Sequence, residues 1–246
     1  MARLSLHSVG IEFPVFNAST RSLTNSIVSI ATGGRINADE SGYVKVKALS
    51  DLTLDAHAGD RIGIFGHNGS GKSTLLRLIA GIYEPTSGTI HRNGSVSSLI
   101  DIGIGISPEN TGRENVYLRG RLLGLSSREL SSKFDEIVDF ADLGKFIDLP
   151  VRTYSSGMLL RLAFAVSTST NADIVVMDEW LSVGDEAFEK RAQQRLQDLV
   201  DNAEILFIAS HDKSLLRNTT RKCLHLENGI AKNFGDTEVL VEKYFT

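Results

Sequence analysis

Leu4, Leu6, Val9, Ile11 and Phe13 recur among polar residues at the start of the chain and predict a half-buried first strand with some irregularity. In the polar segment that follows, Leu23, Ile27 and Ile30 recur at helical spacing until Gly33 and Gly34 stop the run. Residues 43–55 alternate again and read as one or two strands. RIGIF (61–65) is a short apolar strand, GHNGSGKS (66–73) a glycine-rich turn, and TLLRLIAG (74–81) a helix closed by Gly81. After a turn at 84–88, TIHRNG and SVSSLI read as further strands. From Pro108 to about Thr170 the pattern is helical, in ENVYLRGRLLG, SSRELSSKFDEIVDFA and MLLRLAFAV. Strand character returns in DIVVMDEW (173–180) and EILFIASHD (204–212), with a helical period from Glu186 to Val200 between them. Buried apolar strands that alternate with helices imply an α/β fold with a parallel sheet covered on both faces, interrupted here by a helical insertion.

The 246 residues suffice for one large domain or two small ones, and 41% hydrophobic with 23% charged residues argues against long disorder. A net charge of -4 provides no general attraction to DNA or RNA, so nucleic acid is not the expected partner. Cys223 is the single cysteine, which excludes an internal disulfide and a cysteine-rich metal site and fits a reducing compartment. The N-terminus lacks the continuous apolar core of a secretory signal, and no stretch approaches the roughly 20 apolar residues of a membrane helix. A cytosolic protein is expected, reaching a membrane only through a partner.

Gly66, His67, Asn68, Gly69, Ser70, Gly71, Lys72 and Ser73 fit the phosphate-loop pattern G-x-x-x-x-G-K-[ST], between a buried strand and a helix. Glycines let backbone amides converge on phosphate oxygens, Lys72 reaches the terminal phosphates, and Ser73 places its hydroxyl on Mg²⁺. The apolar run 174–177 ends in Asp178 and Glu179. An Asp-Glu pair after a strand is by itself most often a solvated helix start. Beside a phosphate loop, Asp178 is a candidate to hold Mg²⁺ through water, and Glu179 to orient or deprotonate an attacking water. His211, after the apolar strand 205–209, is a candidate donor to the γ-phosphate, although a lone histidine there is usually a turn residue.

YSSGM (154–158) sets two serines and a glycine in front of an apolar helix that needs only one side-chain cap. At this stretch the chain resembles the ATP-binding subunit of ABC transporters, whose signature is a serine-glycine motif at a helix N-terminus. The resemblance implies a P-loop ATPase fold: a mostly parallel core sheet, an antiparallel β-subdomain and a helical signature subdomain. One ATP-binding domain would span 1–246, with the core and β lobe at about 1–100 and 171–246 and the helical lobe at about 101–170. It further implies ATP and Mg²⁺ as ligands and a head-to-tail dimer with a second copy, in which Ser155, Ser156 and Gly157 cover the partner's nucleotide. By the same resemblance Tyr43 stacks on adenine, Gly66 to Thr74 form the phosphate loop, Asp178 and Glu179 the acidic strand, residues 182–185 an interface loop, and His211 the switch histidine. The chain departs from the pattern where Ser156 replaces a glycine and Met158 a glutamine. The usual glutamine between the lobes is missing, and Asp101 occupies about its place as a candidate Mg²⁺ contact. Trp180 stands where many relatives have proline, either in the core or at the interface.

SVSSLIDIGIG, TGRENVYLRGRLLG, RTYSSGM and SVGDEAFEKR resemble the branch that exports bacterial surface polysaccharides of the O-antigen, capsule and teichoic acid type. That branch implies a separate transmembrane permease as partner, polysaccharide contacted mainly through the permease, and work at the cytoplasmic face of the inner membrane. Residues 13–35, also similar to the branch, either dock on a membrane partner or membrane surface or pack on their own domain. The alternatives are an exporter of another substrate, a soluble ABC-type ATPase acting on ribosomes or DNA, and a nucleotide-binding regulatory module without turnover. Two cassettes in one chain, or a coiled-coil insertion, would mark a soluble ATPase, and this chain has neither.

Overall fold

The computed structural model describes residues 1–15, 36–38, 44–180 and 186–244. The segment 16–35, Tyr43 and the loop 181–185 lie outside the described residues. Contacts divide the chain into two compact units, Met1–Gly94 with Val176–Glu179 and Glu204–Thr246, and Ser95–Val175 with Trp180–Ala203.

The first unit opens with β1 (Arg3–Val15), β2 (Ile36–Ala38) and β3 (Val44–His57). Next come β4 (Arg61–Phe65), helix α1 (Lys72–Ile79) and β5 (Ser87–Asn93). An antiparallel sheet has the order β2-β3-β1-β5. The irregularity expected in β1 takes the form of register shifts around Val9, next to Ser8 at φ 48°. An extra residue twists the strand, which still buries Leu4, Leu6, Val9 and Ile11. The alternating stretch after Tyr43 is one strand that runs to His57.

β4 pairs in parallel with β8 (Ile205–Ala209) on one side and β9 (Lys222–Glu227) on the other. A strand flanked and covered in this way has no wet face, which is why RIGIF carries no alternation. The sheet continues from β9 to β10 (Ile230–Asp236), and beyond β8 to the end of β7 (Ile174–Asp178). Between β8 and β9 lies α6 (Lys213–Thr219), and α7 (Thr237–Tyr244) follows β10.

In the second unit, β6 (Val96–Ser98) lies beside β7, whose first two residues belong here. SVSSLI therefore stops being a strand earlier than expected, because the Ile100 amide donates to Ser98 Oγ (3.3 Å) instead of a ladder carbonyl. Helices α2 (Gly112–Leu122) and α3 (Ser127–Ala141) each start with a reciprocal capping box, Thr111 with Glu114 and Ser126 with Glu129. Helix α4 (Ser156–Ser167) follows two short 3₁₀ turns, and α5 (Glu186–Asn202) comes after the undescribed loop. Val116, Phe134, Ile137, Leu162 and Val166 form the core of this helical unit. Trp180 is half-buried. Among the described residues, no helix is long and apolar enough to cross a membrane.

Candidate nucleotide site

The site of the first unit is built where β4 ends. Buried Phe65 delivers the chain into the loop 66–71, and β9 lies so near that a Cβ on Gly66 would sit 2.0 Å from the Leu226 carbonyl oxygen. Only glycine fits at that approach. Gly71, at φ 108°, then acts as N-cap of α1 and supplies no side-chain acceptor. The first amides of α1 therefore meet no capping side chain, and the positive end of the helix faces the loop, the arrangement that holds phosphate.

Lys72 is 8% exposed, and its ammonium donates to the carbonyl oxygens of Gly66 (2.8 Å) and His67 (3.2 Å). Burial lowers its pKa below the ordinary lysine value, while Asp178 and Glu179 pull it back upward. The cation is thus stored under the loop, on acceptors that a phosphate oxygen can replace. Ser73 Oγ donates to Asp178 Oδ2 at 2.6 Å, so helix α1 and the end of β7 bring these two oxygens into direct contact. Mg²⁺ prefers hard oxygen ligands and completes its shell with waters and substrate phosphates. A hydroxyl beside one carboxylate fits such an ion. Among the described residues, no cluster of three or more His, Cys, Asp or Glu forms a site made wholly by protein.

Glu179 is exposed, at φ 70°, and its amide donates to the Ala209 carbonyl (2.8 Å) at the end of β8. A left-handed glutamate is strained by about 1–3 kcal/mol, and the neighbouring strand holds it there. The Ser210 amide bonds the Ile64 carbonyl (3.1 Å), Ser210 Oγ accepts from the Asp212 amide (3.0 Å), and Asp212 caps α6. His211 is left exposed between these anchors. A cavity of about 670 Å³ brings Asn68, Gly69, Gly71, Lys72, Ser73 and Thr74 together with Asp178, Glu179 and His211.

Two contributors are not among the site residues read from the sequence. Phe13, 36% exposed at the end of β1, lines the same cavity and meets Tyr83 edge-on at 5.3 Å. The turn between β9 and β10 donates the Gly229 amide to the Ser70 carbonyl (2.8 Å) and accepts the Ser50 amide (2.9 Å), clamping the loop against β3. Asn228-Gly229 between two alternating runs was a readable hairpin signal. Nothing in the alternation of β1 marks Phe13 as different from a surface aromatic.

The remaining candidates belong to the helical unit. Ser155 caps α4, its Oγ accepting from the Met158 amide at 3.2 Å, and Ser155 and Ser156 are exposed. A Cβ on Gly157 would meet nothing nearer than Ser155 Oγ at 3.9 Å, so packing of its own helix does not demand glycine there. Tyr154 anchors the stretch by donating to the Phe146 carbonyl (2.6 Å). Asp101 is exposed, at φ 51°, and its carbonyl accepts the Ile104 amide (2.9 Å). Tyr43 and Ser182 to Asp185 are outside the described residues.

Comparison with known proteins gives a consistent picture. The family profile described as ABC transporter matches residues 49–182. The chain is 44% identical over 230 residues to the O-antigen export system ATP-binding protein RfbE of Yersinia enterocolitica, covering 94% of this chain and 96% of that one. It is 42% identical to the teichoic acids export ATP-binding protein TagH of Bacillus anthracis, over 80% of this chain and 36% of that longer one. Among solved structures, a dimer of the ATP-binding cassette MJ0796 bound to ADP and Pi superposes with a TM-score of 0.66 at 19% identity, over 95% of this chain and 98% of that one. At that identity the likeness establishes the fold, a P-loop cassette with a helical subdomain.

Proposed function

Because this chain belongs to the ATP-binding subunits of ABC transporters, we propose that it hydrolyses Mg·ATP to energise export of a surface polysaccharide through a separate membrane-spanning permease. The observation that carries the ATPase reading is the contact of Ser73 Oγ with Asp178 Oδ2 above a buried Lys72 and beside a strained, exposed Glu179. The loop amides and the N-terminus of α1 bind the phosphates, and Lys72 exchanges its carbonyl acceptors for phosphate oxygens. Mg²⁺, held by Ser73 and by Asp178 directly or through water, supplies charge neutralisation at the phosphates. Glu179 accepts the proton of the attacking water, and His211 donates a hydrogen bond to the γ-phosphate. Phe13 offers a ring to the adenine, a role that Tyr43 shares or takes over.

The polysaccharide substrate is supported by the relatives named for O-antigen and teichoic acid export. The open space at Gly157, together with exposed Ser155 and Ser156, supports the capping of a second copy's nucleotide by the tip of α4. Residues 1–246 would act as one ATP-binding domain of two lobes, working at the cytoplasmic face.

Glu179→Gln tests both the chemistry and the dimer. Hydrolysis is expected to fall by about 10²–10⁴-fold, the usual contribution of a general base, with ATP binding retained and a two-fold dimer trapped in gel filtration. Hydrolysis at the wild-type rate by that variant excludes Glu179 as the base. Co-purification of the tagged chain with a multispanning protein from its host membrane, dependent on an intact phosphate loop, tests the permease.

A further inference from the structure

Asparagine followed by glycine is the dipeptide most prone to internal cyclisation, because glycine sets no side chain in the way of its own amide nitrogen. The chain holds three such pairs, Asn68-Gly69, Asn93-Gly94 and Asn228-Gly229. Two of them are restrained. The Gly229 amide is buried and donates to the Ser70 carbonyl (2.8 Å), which ties up the nitrogen that would have to attack. Asn93 ends β5 opposite Arg3, and its Nδ2 donates to the Met1 carbonyl (3.4 Å). Asn68-Gly69 is different. It forms the exposed middle of a turn closed by one backbone bond, from the Ser70 amide to the His67 carbonyl (3.0 Å). Neither the Asn68 side chain nor the Gly69 amide has a hydrogen-bond partner among the described residues, and a Cβ at Gly69 would meet nothing within 4 Å. A loop that keeps its amides open for phosphate leaves this nitrogen available whenever no phosphate is there.

The preceding residue adds a chemical push. His67 Nδ1 donates to the Asn68 carbonyl oxygen at 2.8 Å, and since a carbonyl only accepts, that ring nitrogen carries the proton. A hydrogen bond to this oxygen draws electron density out of the Asn68–Gly69 peptide and makes its N–H more acidic. We propose that the empty phosphate loop modifies itself at Asn68. The Gly69 nitrogen gives up its proton to solvent and attacks Asn68 Cγ, the Cγ–Nδ2 bond breaks, and Nδ2 recovers a proton and leaves as ammonia. Water then opens the cyclic succinimide at one carbonyl or the other, giving aspartate or isoaspartate. Either product sets a carboxylate among amides that serve phosphate oxygens, so like charges oppose the nucleotide. A bound phosphate occupies the Gly69 amide and protects it, so the loop is durable when loaded and perishable when empty. This rests on the reading of residues 66–73 as a phosphate loop.

Peptide mapping of the full chain by mass spectrometry, after incubation at mildly alkaline pH without nucleotide, compares the three pairs in one digest. Conversion at Asn68 is expected to be at least about tenfold faster than at Asn93 or Asn228, the factor that one hydrogen bond contributes. ATP in EDTA, at about a hundred times its Kd, should slow Asn68 about a hundredfold by shrinking the empty fraction, and leave Asn93 unchanged. His67→Phe should slow Asn68 about threefold. The converted chain, like Asn68→Asp, should bind ATP at least about tenfold more weakly. Conversion at Asn68 no faster than at Asn228 overturns the proposal. So does an equal rate with ATP shown by titration to be bound, an unchanged rate in folded His67→Phe, or full ATP affinity in the converted chain. If His67→Phe does not fold, the wild-type comparisons decide. A chain that binds no ATP refutes the phosphate-loop reading, while the relative rates without nucleotide still judge the cyclisation.

Discussion

Gly229→Ala is the sharpest test of how the phosphate loop is held. A Cβ at Gly229 would stand 2.5 Å from the Ala48 carbonyl oxygen, 3.0 Å from the Ala48 carbonyl carbon and 3.2 Å from Leu49 Cα, all of them backbone. No side-chain rotation relieves that overlap, so the turn must withdraw from β3. Overpacking of this kind costs about 1–3 kcal/mol, and φ 78° adds about 1–2 kcal/mol for an L-residue. Withdrawal also loosens the bonds from Gly229 to Ser70 and from Ser50 to Gly229, worth about 0.5–1.5 kcal/mol each. The total is about 3–8 kcal/mol. Gly59→Ala is the control, since Gly59 has a comparable φ of 92° and nothing within 4 Å of its Cβ position. Urea unfolding should show a loss of about 1–2 kcal/mol for Gly59→Ala and at least about 2 kcal/mol more for Gly229→Ala. ATP affinity, measured by fluorescence titration, should fall about tenfold for Gly229→Ala alone, because the Ser70 carbonyl loses its anchor and the loop its single conformation. Equal unfolding losses with equal ATP affinities would refute the claim that the hairpin clamps the loop.

Ser73→Ala removes the hydroxyl that contacts Asp178 and should abolish the Mg²⁺-dependent part of ATP affinity while leaving binding in EDTA intact, as read by titration with and without the metal. Phe13→Ala, compared with Tyr43→Ala, assigns the adenine contact. Loss of preference for ATP over an inorganic triphosphate should accompany the ring that stacks, by about 0.5–1.5 kcal/mol. Burial works to raise the Asp60 pKa, but Lys222 at 2.7 Å and the His57 amide at 2.9 Å outweigh it and hold the carboxyl below the usual aspartate value. The unfolded chain then binds the proton more readily than the native one, so Asp60 stabilises the fold above about pH 4 and stops doing so as pH falls through its native pKa. Asp60→Asn should accordingly lower Tm at pH 7, and the difference from wild type should close in acid.

Local chemistry was legible wherever it is written in consecutive residues. The phosphate loop, the acidic end of β7 and the serine cap of α4 are each a short run whose residue types dictate the backbone: glycines for close approach, an apolar strand for burial, Ser155 for a helix start. The capping boxes of α2 and α3 fix where those helices begin in the same way. Phe13 and Gly229 were not legible as site residues. Phe13 reads as one more aromatic of an alternating strand, and Gly229 as one glycine among 22.

What the chain determined by itself is therefore the class of fold and the inventory of reactive groups, because hydrophobic period and turn chemistry act over a few residues. Only the folded structure decided that Ser73 and Asp178, 105 positions apart, touch, and that Leu226 and Gly229 wall in a loop that begins at Gly66. Contacts of that range follow from sheet order and register, in which β4 lies between β8 and β9 although neither is its neighbour in sequence. Each pairing depends on how all the strands pack at once, and no short window of residues carries that information.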